Sequence, residues 1–326
     1  MSFLDNLVNK GKAKLNEFTQ QHQQAPHPNY SNRPPPPPVN YASKPGGFPP
    51  SVPPRPQAPY QNPPLPQQYG PAPYWQADFN PSVPVPSIFV QETGAHGWGN
   101  NESQNYTTNP QNSFFTPDHK LVIRGIVSPS PNDKYTSARL YTHQTLSRQR
   151  GCLTAVLSAP CAEGIWPAFW LLPKEPFTWP NDGEVDIFES WNGDKVNHSC
   201  LHWGHFNGED WNKHRVIETP IPDLDARPHH FAFAWDQPED GKGGRMVWYI
   251  DGNAVMKANI PEGTRRLSEY RIILNVAMGG NVCGGKLPRE GYYDFVVHEL
   301  KMWNEPQGGW GNFYADFERG REGKTM

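Results

Sequence analysis

Proline is spread so unevenly along this chain that its first quarter cannot be built like the rest. Of the 38 prolines, 22 precede Ser87, including the run Pro34 to Pro38 and the cluster Pro53-Pro54-Arg55-Pro56. Proline lacks the backbone donor that helices and interior strands require, and the intervening Gln, Asn and Tyr offer too little apolar surface to offset the entropy of ordering. Residues 22–86 therefore read as a disordered, Pro-rich linker biased toward polyproline II. Its clusters suit docking by SH3- or WW-type partners, the plain alternative being a solvated spacer.

Residues 1–21 differ from this linker. A capping box at Ser2 to Asp5 precedes apolar Leu4, Leu7, Val8, Leu15 and Phe18 at helical spacing, beside Lys10, Lys12 and Lys14. The pattern predicts a short amphipathic helix, suited to a membrane surface or a partner, or a marginal helix weakened by Gly11. Asp5, Asn6, Asn9 and Lys10 break any signal-peptide core, so the expected location is cytoplasmic, or outside the cell by an unconventional route. Lys+Arg 29 against Asp+Glu 32 leaves no basic field for nucleic acid.

From Ser87 the texture changes. Short β-prone runs such as Leu121 to Val127, Cys152 to Leu157, His230 to Trp235 and Met246 to Ile250 are punctuated by Gly, Pro, Asn and Asp, with a hairpin turn at Asp251-Gly252. With no long amphipathic helix in this region and no strand–helix alternation, the expected fold is all-β, an antiparallel β-sandwich. Residues 305–326 read as a C-terminal tail. Cys152, Cys161, Cys200 and Cys283 lack paired metal-ligand spacing and read as free thiols, the alternative being a bridge between Cys152 and Cys161.

Within the β region, Asp182-Gly183-Glu184-Val185-Asp186-Ile187-Phe188-Glu189 crowds carboxylates onto a strand pattern. Strand side chains alternate, so Glu184 and Asp186 share a face about 6.6–6.8 Å apart, while Glu189 falls on the other. A β-bulge would return it to the first face. Three converging carboxylates raise one another's pKa, and two carboxyls in opposite protonation states are what glycosidic bond cleavage needs. The plain alternatives are a solvated acidic strand or a calcium site. Nearby Trp166, Trp170 and Trp179 tilt the balance toward a carbohydrate cleft, because sugar rings stack their CH faces on indoles.

Glu184-Val185-Asp186-Ile187-Phe188-Glu189 resembles the signature of glycoside hydrolase family 16 in its bulged, laminarinase-like branch. Similar blocks are Trp166 to Trp170, Gly97 to Glu102, Tyr135 to Arg139 and Ile273 to Gly280, and the resemblance covers residues 87–304. The resemblance implies a jelly roll of the concanavalin A-like kind. Its implied roles are Glu184 as nucleophile, Glu189 as general acid/base and Asp186 between them, with His202 beside the acid/base. Trp98, Asn100, Glu102, Trp170, Trp179 and Asn275 would join His202 in binding substrate.

The implied activity is a retaining endo-glycosidase on β-1,3- or mixed β-1,3/1,4-glucan, a polysaccharide partner, with no required cofactor and room for a structural calcium. A glucan transglycosylase and a non-catalytic glucan-binding protein stay open as alternatives. Trp166 is expected to pack in the core beside Pro167, and Trp211 reads equally as a packing or a substrate residue. His198, His202 and His205 bracket Cys200 with metal-like spacing, but His205 has the wrong strand parity, which favours His202 as a cleft residue. Gly279 to Gly285 lacks the Trp that many members carry there.

Overall fold

The computed structural model describes residues 72–205, 210 and 212–325. The helix expected at 1–21, most of the Pro-rich arm and Trp211 lie outside the described residues.

The strands in chain order are β1 (Trp75–Gln76), β2 (Phe89–Glu92), β3 (Asn105–Tyr106), β4 (Ser113–Phe115), β5 (Leu121–Val127), β6 (Tyr135–Ser137), β7 (Arg139–Thr145), β8 (Arg150–Ser158) and β9 (Ile165–Pro173). Next come β10 (Glu184–Glu189), β11 (Val196–His202), β12 (Arg215–Pro220), β13 (His229–Asp236), β14 (Arg245–Ile250), β15 (Asn253–Asn259), β16 (Tyr270–Met278) and β17 (Gly291–Trp303). An α-helix, α1 (Gly309–Arg319), and β18 (Lys324–Thr325) complete the described chain.

Two sheets result. One runs β15-β14-β13-β8-β17-β5-β6-β3, with β1 on β17 and β4 on β5; the other runs β18-β12-β11-β10-β9-β16-β7-β2. All pairings are antiparallel except β3 with β6. Alternation along each strand decides what lies between the sheets. In β13, Phe231, Phe233 and Trp235 are fully buried in the main core, while Ala232 and Ala234 turn the other way. Phe188 meets Phe231 and Phe295 across the core, with ring centroids 4.9 and 5.8 Å apart. A buried aromatic of this size contributes about 1.5–3 kcal/mol of transfer free energy, so a continuous aromatic layer suffices to clamp the sheets.

The hairpin expected at Asp251-Gly252 joins β14 to β15, with φ of 48° and 79°. Two left-handed residues match the right-handed twist of the strands they join.

Two expected boundaries are corrected. The folded region begins before residue 87: Trp75 pairs with Met302, and Phe79 is buried. Residues 305–326 are not a tail. Trp310, Phe313, Tyr314 and Phe317 recur at helical spacing, and α1 lays them over Cys152, Ala232, Ala234 and Val247 on the outer face of the first sheet. A helix with three glycines at its start (Gly308, Gly309 and Gly311) is weak alone, and tertiary packing holds it.

Candidate active site

Gly183 starts the strand that matters most. Its φ is 97°, and a Cβ there would collide with the Tyr270 hydroxyl, which donates to Asp182 O at 2.6 Å. Glycine alone fits this turn, and it releases the chain into β10 with Glu184 facing outward.

Along β10, Val185, Ile187 and Phe188 are all buried in the core. Two consecutive core residues break the alternation. The register against β9 shows why: Asp186 pairs with Trp170 and Phe188 with Phe169, so Ile187 is the extra residue of a bulge. Glu189, opposite Ala168, returns to the face of Glu184 and Asp186. The bulge inferred from parity is present.

The bulge also interrupts hydrogen bonding to β11, whose pairing with β10 runs from Glu184↔His202 to Asp186↔Cys200. Fully buried Asn197 bridges the interruption. Its Oδ1 accepts from Glu189 N at 3.1 Å and its Nδ2 donates to Ile187 O at 3.3 Å. One side-chain amide thus takes over from the missing ladder rung on either side of Phe188.

Each carboxyl has its own surroundings. Glu184 accepts the Trp179 indole N–H at 2.5 Å. Burial, then the charge of Asp186, pushes its pKa up to about 8, with His202 and Arg139 pulling the other way. Glu189 accepts the Trp166 indole N–H at 2.9 Å. Burial holds its pKa well above the usual carboxylate range, reinforced by Asp186, Glu184 and Glu102.

Asp186 is 1% exposed and lies 3.2 Å from His202 Nε2. Burial disfavours the charged imidazole, but the Asp186 carboxylate 3.2 Å away, with the charge of Glu184, outweighs it and raises the His202 pKa.

His202 therefore stands opposite Glu184 and contacts Asp186, not the acid/base as expected. Antiparallel pairing sets the end of β11 against the start of β10. It is His198 that reaches Glu189, through the backbone carbonyl at 3.4 Å, while stacking on Trp191 at 3.6 Å. His205 bonds Asn181 instead, so the three histidines do not converge.

A second wall adjoins the acids. Trp170 Nε1 donates to Asn275 Oδ1 at 2.8 Å, and Asn275 Nδ2 donates to Tyr106 Oη at 3.1 Å. Glu102 accepts from Gln104 at 2.6 Å and from Tyr106 at 3.3 Å, with Asn100 at 3.5 Å. Burial raises the Glu102 pKa. The Arg139 guanidinium lies 4.9 Å from the Trp98 ring and 4.7 Å from the Trp170 ring, and pairs with Glu92 at 2.5 Å. Cation–π contact on two indoles fixes both rings together. Trp98, Asn100, Glu102, Trp170 and Asn275 thus form one connected network, while Trp179, 39% exposed, borders the acids from the loop before β10.

Trp166, Arg139, Tyr106, Gln104 and Asn197 were not among the expected site residues. Trp166 is buried, as a core residue would be, but against Ala277, Cys283 and Trp191 on the outer face. Its parity with Trp170 was the available signal. Asn197 carried none, because its function depends on the register of a neighbouring strand.

A family model described as "XgeA-like, catalytic GH16 domain" matches residues 96–218. A glucan endo-1,3-beta-glucosidase of Cryptopygus antarcticus is 31% identical over 233 residues, 65% of this chain and 82% of the relative. The clotting factor G alpha subunit of Tachypleus tridentatus is 29% identical over 248 residues, 72% of this chain; the chain spans only 35% of that relative's length. The X-ray structure of the laminarinase from Rhodothermus marinus superimposes with a TM-score of 0.60 at 26% identity, covering 73% of this chain and 98% of that one.

Proposed function

Because the chain belongs to glycoside hydrolase family 16, we propose that it is a retaining endo-glycosidase cleaving β-1,3- or mixed β-1,3/1,4-linked glucan through a glycosyl-enzyme intermediate. The observation that carries this is the bulged β10, which gathers Glu184, Asp186 and Glu189 on one face with a separate indole donor on each glutamate. The names of the relatives, a glucan endo-1,3-beta-glucosidase and a laminarinase, support the substrate class.

The environments suit a division of labour. Glu184 faces His202 and Arg139, which ease its ionisation; Glu189 is buried among Asp186, Glu184 and Glu102, which favour its protonated form. Glu189 donates that proton to the leaving glycosidic oxygen while Glu184 attacks the anomeric carbon. Esterification removes the Glu184 charge, Glu189 is left ionised, and it then takes a proton from the water that releases the sugar. Asp186, 3.2 Å from His202, sets a carboxyl group beside the place where the positive sugar develops. Trp98 and Trp170, locked by Arg139, offer apolar faces for neighbouring glucose rings.

This chemistry draws on no organic cofactor. For a structural calcium on the first sheet, no group of three His, Cys, Asp or Glu side chains converges there among the described residues, and Asp294 is engaged by Arg124 at 2.6 and 2.8 Å. No step is assigned to one. The part of the arm before the fold, residues 1–71, is proposed to dock on an SH3- or WW-type partner or a membrane surface; deleting 1–71 should leave cleavage intact and abolish localisation.

The test is reducing-sugar release from laminarin and lichenan by wild type, Glu184→Gln and Glu189→Gln, with the anomer of the first product read by NMR. Release of the β-anomer, abolished by both substitutions, is the expected result. Products longer than the donor would reassign the second step to a sugar acceptor. Glucan binding without turnover would make the protein a binding module.

A further inference from the structure

Beside the nucleophile, Asp186, Cys200 and His202 bring a carboxylate oxygen, a thiol sulfur and an imidazole nitrogen within 4.8 Å of one another. The register makes this obligatory: Asp186 and Cys200 are cross-strand partners, and His202 lies two residues further along the same face of β11. We propose that these three side chains form a site for a thiophilic divalent cation of the Zn2+ class, whose occupancy switches the cleft off.

Three features besides proximity point to a cation. Asp186 is 1% exposed, yet neither of its carboxylate oxygens meets a directed hydrogen bond among the described residues; the near contact is His202 Nε2 at 3.2 Å, itself one of the three donors. His202 has its other ring nitrogen, Nδ1, 2.7 Å from His214 Nδ1. With Nε2 on a metal, the Nδ1–H would donate to His214, the outer-shell support that metal-bound imidazoles use. The mixed N, S, O donor set suits Zn2+ or Co2+ and is too soft for Ca2+ or Mg2+. Bonds of about 2.0–2.3 Å ask the ligand atoms to draw together by about 1 Å, a side-chain adjustment within a cleft. Three protein ligands leave the fourth position of a tetrahedral ion for water.

The consequence for activity rests on the glycosidase function proposed above; the binding itself does not. A bound cation would engage Asp186 and His202, the two groups that set the electrostatics of Glu184, and place a positive charge where the oxocarbenium-like sugar must form.

The experiment uses the reduced full-length chain and Co2+ as a spectroscopic probe. Wild type should develop a thiolate-to-cobalt charge-transfer band that Zn2+ removes at one equivalent, and Cys200→Val should lack the band and bind Zn2+ about tenfold or more weakly. X-ray absorption of the wild-type zinc complex should give one sulfur at about 2.3 Å with nitrogen and oxygen at about 2.0 Å, a result that does not depend on the variant's folding. Laminarin hydrolysis should fall over the same Zn2+ range, recover with EDTA and ignore Ca2+. No cobalt–thiolate band in wild type, or a band that persists in Cys200→Val, overturns the site. A band with hydrolysis insensitive to Zn2+ overturns the switch. If wild type cleaves no glucan yet shows the band, the failure lies with the glycosidase function and the site stands.

Discussion

The two outer faces of the sandwich are built on the same strand alternation and used in opposite ways. On the first sheet, β13 and β14 turn Ala232, Ala234 and Val247 outward, and Phe313 of α1 buries itself completely on them. On the second, β10 and β11 turn Glu184, Asp186, Glu189 and His202 outward, under Trp166 and Trp179. The first face gains stability by excluding water from apolar surface. The second holds like charges partly desolvated, which costs stability and creates proton affinities that an exposed strand could not have. Structure and reactivity are therefore expected to separate by face.

Removing a carboxylate gives the largest expected effect. Glu184→Gln and Glu189→Gln should each lower kcat roughly a thousandfold or more, while thermal unfolding shows a Tm equal to or above wild type, because a buried group that resists ionisation is replaced by a neutral amide of the same shape. A large drop in Tm would break the distinction between the faces.

On the other face, Phe313→Ala should cost about 3–5 kcal/mol in urea unfolding. The kcat of the folded fraction should not change. Lost activity per folded molecule would show that α1 supports the cleft through the sheets.

Asn197 is where the division should fail. Asn197→Ala strips the partners from Glu189 N and Ile187 O, at a cost of about 1–3 kcal/mol, and frees the bulge that aims Glu189. A fall in kcat with KM unchanged is expected beside the loss of stability. A change in stability alone would make Asn197 a scaffold residue only.

The last effect is on pH. Glu184 has its pKa pushed up from 4.5 to about 8 in the fold, so between these limits the folded chain binds more protons than the unfolded chain. Stability from this group is complete below about 4.5 and declines as pH rises toward 8. Tm measured across that range should fall in wild type and fall less steeply in Glu184→Gln.

Much of this was legible along the chain. The offset of Glu189 from Glu184 and Asp186 demanded a bulge, and the Asp251-Gly252 turn demanded two left-handed residues. Both follow from local rules, the two-residue period of a strand and the sterics of a turn, which neighbouring residues settle among themselves. Proline placement likewise marked off the arm, although the fold reaches back past Ser87 to Trp75.

What the chain alone did not yield depends on partners remote in sequence. Alternation told which face His202 occupies, but only the register of β11 against β10 set it on Asp186 and opposite Glu184. The same register turned Asn197 into a clamp across the bulge and joined Cys200 to Asp186. Trp166 was readable as buried, but a core and a lined cleft bury an indole alike; the Glu189 oxygen 2.9 Å away distinguished them. Residues 309–319 carried a helical apolar pattern too glycine-rich to form alone, and the alanine-faced sheet supplied what they pack on. Sequence determined the faces of the strands, because that is local geometry; tertiary structure decided which side chains meet across them, because register is fixed by the packing of the whole core.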